Sequence, residues 1–226
     1  MATELGDAYA SWHGALKILT RGAPELEEWQ DQRYRFAHRI GELLVTETSG
    51  QPAITGPVLY GVYLAGTGPT YVGQTEQGDR RLRDLPVGES HHLANTVPPE
   101  IWERVIVVQW PNLLGQLPPR EQEQAEELGP RVCGLVLEHQ TQLLMRPPLN
   151  SRRRQRDGQW RHRELAASRS LGAIHADRLP TLHERTRAAW DELAAINHSD
   201  SASGLAVSPF GRVIFPAAMV TPAGER

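Results

Sequence analysis

Residues 58 to 73 constrain the chain more than any other stretch. Val58 to Ala65 is an apolar, aromatic run, Gly66-Thr67-Gly68-Pro69 is turn chemistry, and Thr70 to Gly73 resumes strand character. This pattern reads as a β-hairpin, because glycine accepts the backbone angles of a tight reversal and proline fixes the backbone beside it. A hairpin cannot bury its apolar side alone. A third strand, expected from the β-branched run Arg104 to Trp110 and central in its sheet, and helices from elsewhere must complete the layer.

Helical patterns lie on both sides of this centre. Trp12, Leu16 and Leu19 recur at three- and four-residue spacing within residues 7 to 21. Pro24-Glu25-Leu26 opens a second pattern through Trp29, Phe36, Ile40, Leu43 and Leu44, which Ser49-Gly50-Gln51-Pro52 closes. A short helix is expected over Arg80 to Leu85, ended by Pro86, and a longer one over Arg131 to Arg146, stopped by Pro147-Pro148. The glutamate-rich segment 120 to 128 reads as a solvated helix face. Leu182, Ala189, Trp190 and Leu193 mark a further helix, Ser199 to Gly204 a linker, and residues 205 to 215 an apolar stretch around a Pro209-Phe210-Gly211 turn.

With 226 residues, 39% hydrophobic and 23% charged, the chain is large enough to bury a core without covalent staples. Cys133 is the only cysteine, which excludes an intrachain disulfide and a four-cysteine zinc site; its apolar neighbours mark a small buried residue. No segment approaches the ~20 apolar residues of a membrane span and the N-terminus carries no secretory pattern, so a cytoplasmic protein without a membrane partner is expected. Formal net charge is only -3. Its distribution is uneven: Arg146 to Arg169 contains eight arginines against Asp157 and Glu164. That stretch, with Arg152, Arg153 and Arg154 near its start and Trp160 within it, is suited to tracking a phosphate backbone.

Gly61-Val62-Tyr63 is followed after seven residues by Tyr71-Val72-Gly73. Arg81 lies eight residues past Gly73, Glu138 sits in Leu137-Glu138-His139-Gln140, and Asn150 closes Pro147-Pro148-Leu149-Asn150. In this order the five features resemble the GIY-YIG nuclease family, over about residues 58 to 150. The resemblance implies an α+β fold with a small sheet flanked by helices. It divides the chain into an N-terminal helical extension (1–52), a nuclease core (53–150) and an Arg-rich C-terminal extension (151–226) for DNA contact or dimerisation. It further implies Tyr63, Tyr71, Arg81, Glu138 and Asn150 as the catalytic set, with Glu138 holding one Mg²⁺ or Mn²⁺. Double-stranded DNA is then the partner, a homodimer a compatible assembly, and site-specific cleavage like that of small restriction endonucleases the expected activity. Repair or mobile-element cleavage and a non-catalytic DNA-binding module are the alternatives.

The residue types fit that chemistry on physical grounds. Hydrolysis of a phosphodiester needs an aligned water, stabilisation of charge on phosphorus and help for the departing oxygen. One carboxylate suits a magnesium ion that keeps most of its waters. Arg81 would offset negative charge on the phosphate, while Gly134, one helical turn before Glu138, would leave a phosphate unobstructed. Tyr63, with Tyr71 expected on the same hairpin face, would act as proton acceptor or orient the water. Arg83, His91 and His92 are added as candidate DNA contacts. The alternative that His91, His92 and Asn95 form a ββα-type metal site requires a further separated histidine.

Overall fold

The computed structural model describes residues 2–220 apart from 49, 90–91, 155 and 202–203; the side chains of residues 2, 153, 154, 160 and 200 are also outside it. Two compact units divide at Arg39 and Ile40. Unit 1 contains α1 (Ala2–Leu19) and most of α2 (Ala23–Val45), whose last turns belong to unit 2. No described residue of α1 is buried, and Leu5, Tyr9 and Trp12 are exposed along it.

Unit 2 is a mixed α and β layer structure built on a five-stranded antiparallel sheet. In chain order the elements are β1 (Val58–Leu64), β2 (Gly68–Thr75), α3 (Gly78–Val87), α4 (Leu93–Thr96), β3 (Trp102–Val108), α5 (Pro119–Met145), β4 (Arg152–Arg154), β5 (Trp160–His162), α6 (Leu171–Ile174), α7 (Pro180–Ala195), β6 (Leu205–Ser208) and β7 (Gly211–Ile214). The sheet order is β2-β1-β3-β7-β6, so β3 is central, as its continuous β-branched run requires. The C-terminal stretch is therefore more than a helical extension: β6 and β7 complete the same sheet, and α7 covers it. Strands of four residues with one apolar face are too short to announce themselves by alternation.

The pleat sorts the core into two sides. Leu59, Val72, Ile106, Val108 and Val213 point to one face, where Cys133, Val136 and Leu137 of α5 and Leu182, Trp190 and Leu193 of α7 pack on them. On the other face lie Tyr60, Val62, Val105 and Val107, in register with one another across β1 and β3 and all buried. Cys133 is a buried core residue, as expected, and burial pushes its thiol up to about 11. No helix among the described residues is long and apolar enough to cross a membrane.

Two local outcomes differ from the sequence reading, and one agrees with it. Pro86 does not stop α3 but lies in its last turn, where Gly88 (φ 87) ends the helix by donating to Asp84 O. α5 is broken just before the expected helix start at Arg131: Gly129, with φ of 71 and ψ of 166, leaves the helical region and separates the 119–128 segment from the rest. Glu121, read as part of a solvated face, is buried and accepts hydrogen bonds from Thr181 N (3.2 Å) and Leu182 N (2.7 Å), satisfying the first turn of α7.

Arg212 of β7 was not marked by any sequence signal, yet it holds the last turn of α2 to the sheet. Fully buried, it donates from Nη1 to Leu43 O (3.1 Å) and Thr46 O (2.7 Å) and from Nη2 to Pro52 O (3.2 Å). Its charge complements the negative end of that helix. Arg212→Leu leaves three carbonyls without this donor and is expected to lower the unfolding free energy by about 2–4 kcal/mol, read from urea midpoints.

Candidate functional site

The hairpin register decides which tyrosines meet. Tyr60 pairs with Gly73, and Val62 with Tyr71; a bulge then shifts the pairing, so that Tyr63 lies opposite Pro69. Tyr60 and Tyr71 therefore share one face of the sheet while Tyr63 points to the other. Their ring centroids are 6.1 Å apart. Gly73 is what lets the two rings lie across β2: a β-carbon there would stand 2.7 Å from the Tyr60 hydroxyl and 2.9 Å from the Tyr71 ring.

Tyr63 is thus corrected from a partner of Tyr71 to a half-buried residue packed against the core on the α7 side. Trp190 Nε1 donates to its hydroxyl at 2.7 Å, and the Arg104 guanidinium lies 6.0 Å from its ring centre. Gly61 makes the same kind of room here, since a β-carbon on it would come within 2.4 Å of the Trp190 ring. The glycines of the two half-motifs seat aromatic rings on opposite sides of the sheet, Trp190 at Gly61 and Tyr60 with Tyr71 at Gly73. Tyr60, immediately before Gly61, was missed because strand alternation alone does not reveal where a bulge falls.

Arg81 from α3 and Glu138 from α5 meet Tyr60 and Tyr71 at the edge strand β2, where both charges act on both phenols. The Tyr60 hydroxyl is within reach of Tyr71 and Arg81 but forms no hydrogen bond of ordinary geometry. Burial raises both phenols above the usual tyrosine range; Arg81 opposes this, and Glu138 reinforces it. Burial also raises the Glu138 carboxyl to about 7, against the lowering influence of Arg163, of a hydrogen bond from Gln142 and of Arg81. Arg163, from the segment after β5, is the second cation of the site, and the sequence reading did not single it out.

The edge of β2 is held by side-chain amides in place of a further strand. Val72 N donates to Asn150 Oδ1 at 2.8 Å, and Asn150 Nδ2 donates back to Val72 O at 2.9 Å. Gln142 Nε2 reaches the same carbonyl (3.2 Å) and also Glu138 Oε1 (2.9 Å), so it ties the carboxylate to the strand. Asn150 is a positioning residue in this geometry. Asn150→Ala should cost about 1–3 kcal/mol, because Val72 N loses its acceptor and Val72 O keeps only Gln142, and Asn150→Asp should not fully restore it, having lost the donor. Urea denaturation of the two variants checks both outcomes.

The remaining candidates separate. Arg83 forms a surface ion pair with Glu42, and Gly134 faces the Gln74 amide, which fills the space expected for a phosphate. His92 is exposed at the start of α4, while Asn95 donates to Gly88 O and serves the loop rather than a metal. His91 lies outside the described residues, as do the side chains of Arg153 and Arg154. Arg152 heads a two-stranded hairpin, β4 with β5, within the basic stretch. Among the described residues no group of three or more His, Cys, Asp or Glu is placed to hold a metal. A single carboxylate among the described residues, under the influence of Arg81 and Arg163, suits instead a cation shared with an anionic substrate, as magnesium commonly is. The chain matches no family model, no curated protein and no solved structure.

Proposed function

We propose that this protein is a divalent-metal-dependent endonuclease acting on duplex DNA. The observation that carries the reading is the convergence of Tyr60 (β1), Tyr71 (β2), Arg81 (α3) and Glu138 (α5), from four separate elements, at one edge of the sheet. That constellation combines, among the described residues, a single hard carboxylate, two cations when Arg163 is counted, and two phenols, Tyr60 buried and Tyr71 half-buried, which is what phosphodiester hydrolysis asks of a protein. The family resemblance supports it with Tyr60 in the place first given to Tyr63.

Glu138 would hold Mg²⁺ or Mn²⁺, which when bound supplies Lewis-acid stabilisation of the phosphate oxygens. Arg81 and Arg163 both act electrostatically on that carboxylate and would contact the scissile phosphate, offsetting its growing charge. Both phenols are raised by burial, so they remain neutral near pH 7 and act as O–H groups that orient the attacking water. Asn150 and Gln142 keep β2, and with it Tyr71, at a fixed distance from Glu138.

The assembly proposed is a homodimer, because one site of this composition cuts one strand and duplex cleavage takes two cuts. The exposed row Leu5, Tyr9, Trp12 on α1 supports such a surface. Incubation with plasmid and phage DNA plus Mg²⁺ tests the function. A discrete band pattern is expected for site-specific cleavage; failure to cut perfect, branched or single-stranded DNA with either metal overturns it.

A further inference from the structure

We propose that the cavity between the end of α5 and the β4–β5 hairpin receives one unpaired nucleotide of the DNA strand, directly beside the cleavage site. This rests on the nuclease reading. The cavity has a volume of about 510 Å³, within the range of small-ligand pockets. Leu143, Pro148 and Leu165 line it with apolar surface and Arg146, Arg152 and Arg163 with cations, which outnumber the acid Glu164 on the same lining. A nucleotide is divided the same way, with a flat base that gains from leaving water and an anionic phosphate that pairs with guanidinium groups.

Two features tie the cavity to the site. Arg163 donates from Nη1 to the carbonyl of Asn150 at 3.3 Å, the residue whose amide clamps Val72, and its charge also acts on Glu138. Its backbone is anchored by Arg163 N donating to Ser151 O at 2.8 Å. Arg146 ends α5 with a φ of 48, the left-handed region that a side-chain-bearing residue rarely enters. Such strain persists where surrounding structure holds it, and functional clefts are a frequent place for it.

A stacked, paired base cannot present its face to a concave wall. The cavity therefore selects DNA in which one nucleotide is already unpaired, or leaves the stack at little cost. The closing experiment uses the full chain carrying Glu138→Gln, without metal, and fluorescence anisotropy on three ligands: a perfect duplex, the same duplex with one extrahelical nucleotide, and that bulge with the base removed. The bulged duplex should bind about tenfold tighter than the perfect one, and the abasic bulge should lose the gain. Leu165→Trp, which fills the cavity, should erase the difference. Arg163→Met should lower the slope of log affinity against log salt by about one. Equal affinity for the perfect and bulged ligands, or a preference that survives either base removal or Leu165→Trp, overturns the proposal. Because these are binding measurements, a failure here is separate from failure of the nuclease reading, which would appear as no cleavage by the wild-type chain.

Discussion

Glu138→Gln should abolish metal-dependent cleavage, by about 10³-fold or more, and at the same pH stabilise the metal-free protein. The loss follows from removing the only carboxylate in the cluster among the described residues, whose metal would supply several kcal/mol of charge stabilisation. The gain follows from the raised carboxyl. In the unfolded chain a glutamate releases its proton at about pH 4.3, whereas burial holds the folded group up at about 7. Between those values the native state binds the extra proton, so stability falls as pH rises, and above pH 7 the cost of a buried charge is fully present. Glutamine keeps the shape without the charge. The expected gain is about 1–2 kcal/mol at pH 8, allowing for the solvent that still reaches Glu138, and none at pH 4. Thermal unfolding of the two proteins at both pH values checks the sign. Mg²⁺ must also displace that proton below pH 7, so its affinity for the wild-type site should fall roughly tenfold per unit there.

The second large effect separates two tyrosines only three positions apart. Tyr60→Phe should reduce cleavage by about 10²-fold with little change in stability, since the hydroxyl lost faces Tyr71 and Arg81 and forms no ordinary hydrogen bond within the fold. Tyr63→Phe should do the reverse. It leaves cleavage within about threefold of wild type and costs about 1–2 kcal/mol of stability, because Trp190 Nε1 loses its acceptor in a buried setting. Rates on one DNA substrate, measured beside urea midpoints, give both readouts. Equal loss of activity in the two variants would place Tyr63 in the reaction and require a hairpin register other than the observed one.

The hairpin, the central strand, the long helix of Glu138 and the buried state of Cys133 were all legible in the sequence, because glycine and proline punctuation and apolar periodicity are local signals. So were Arg81, Glu138 and Asn150 as residues of interest. The neighbours that give them meaning come from far along the chain: β7 beside β3, Trp190 beneath Tyr63, Arg163 beside Glu138. No local rule encodes such pairings, since their energy arises only when the layers close. The half-motif glycines make the division plain. Sequence determined that two hairpin positions would be glycine; only tertiary packing decided that Gly61 admits Trp190 on one face and Gly73 admits Tyr60 on the other. A single bulge near Tyr63 set which tyrosine faces the charged cluster, because in a strand a shift of one residue exchanges the two sides of the sheet.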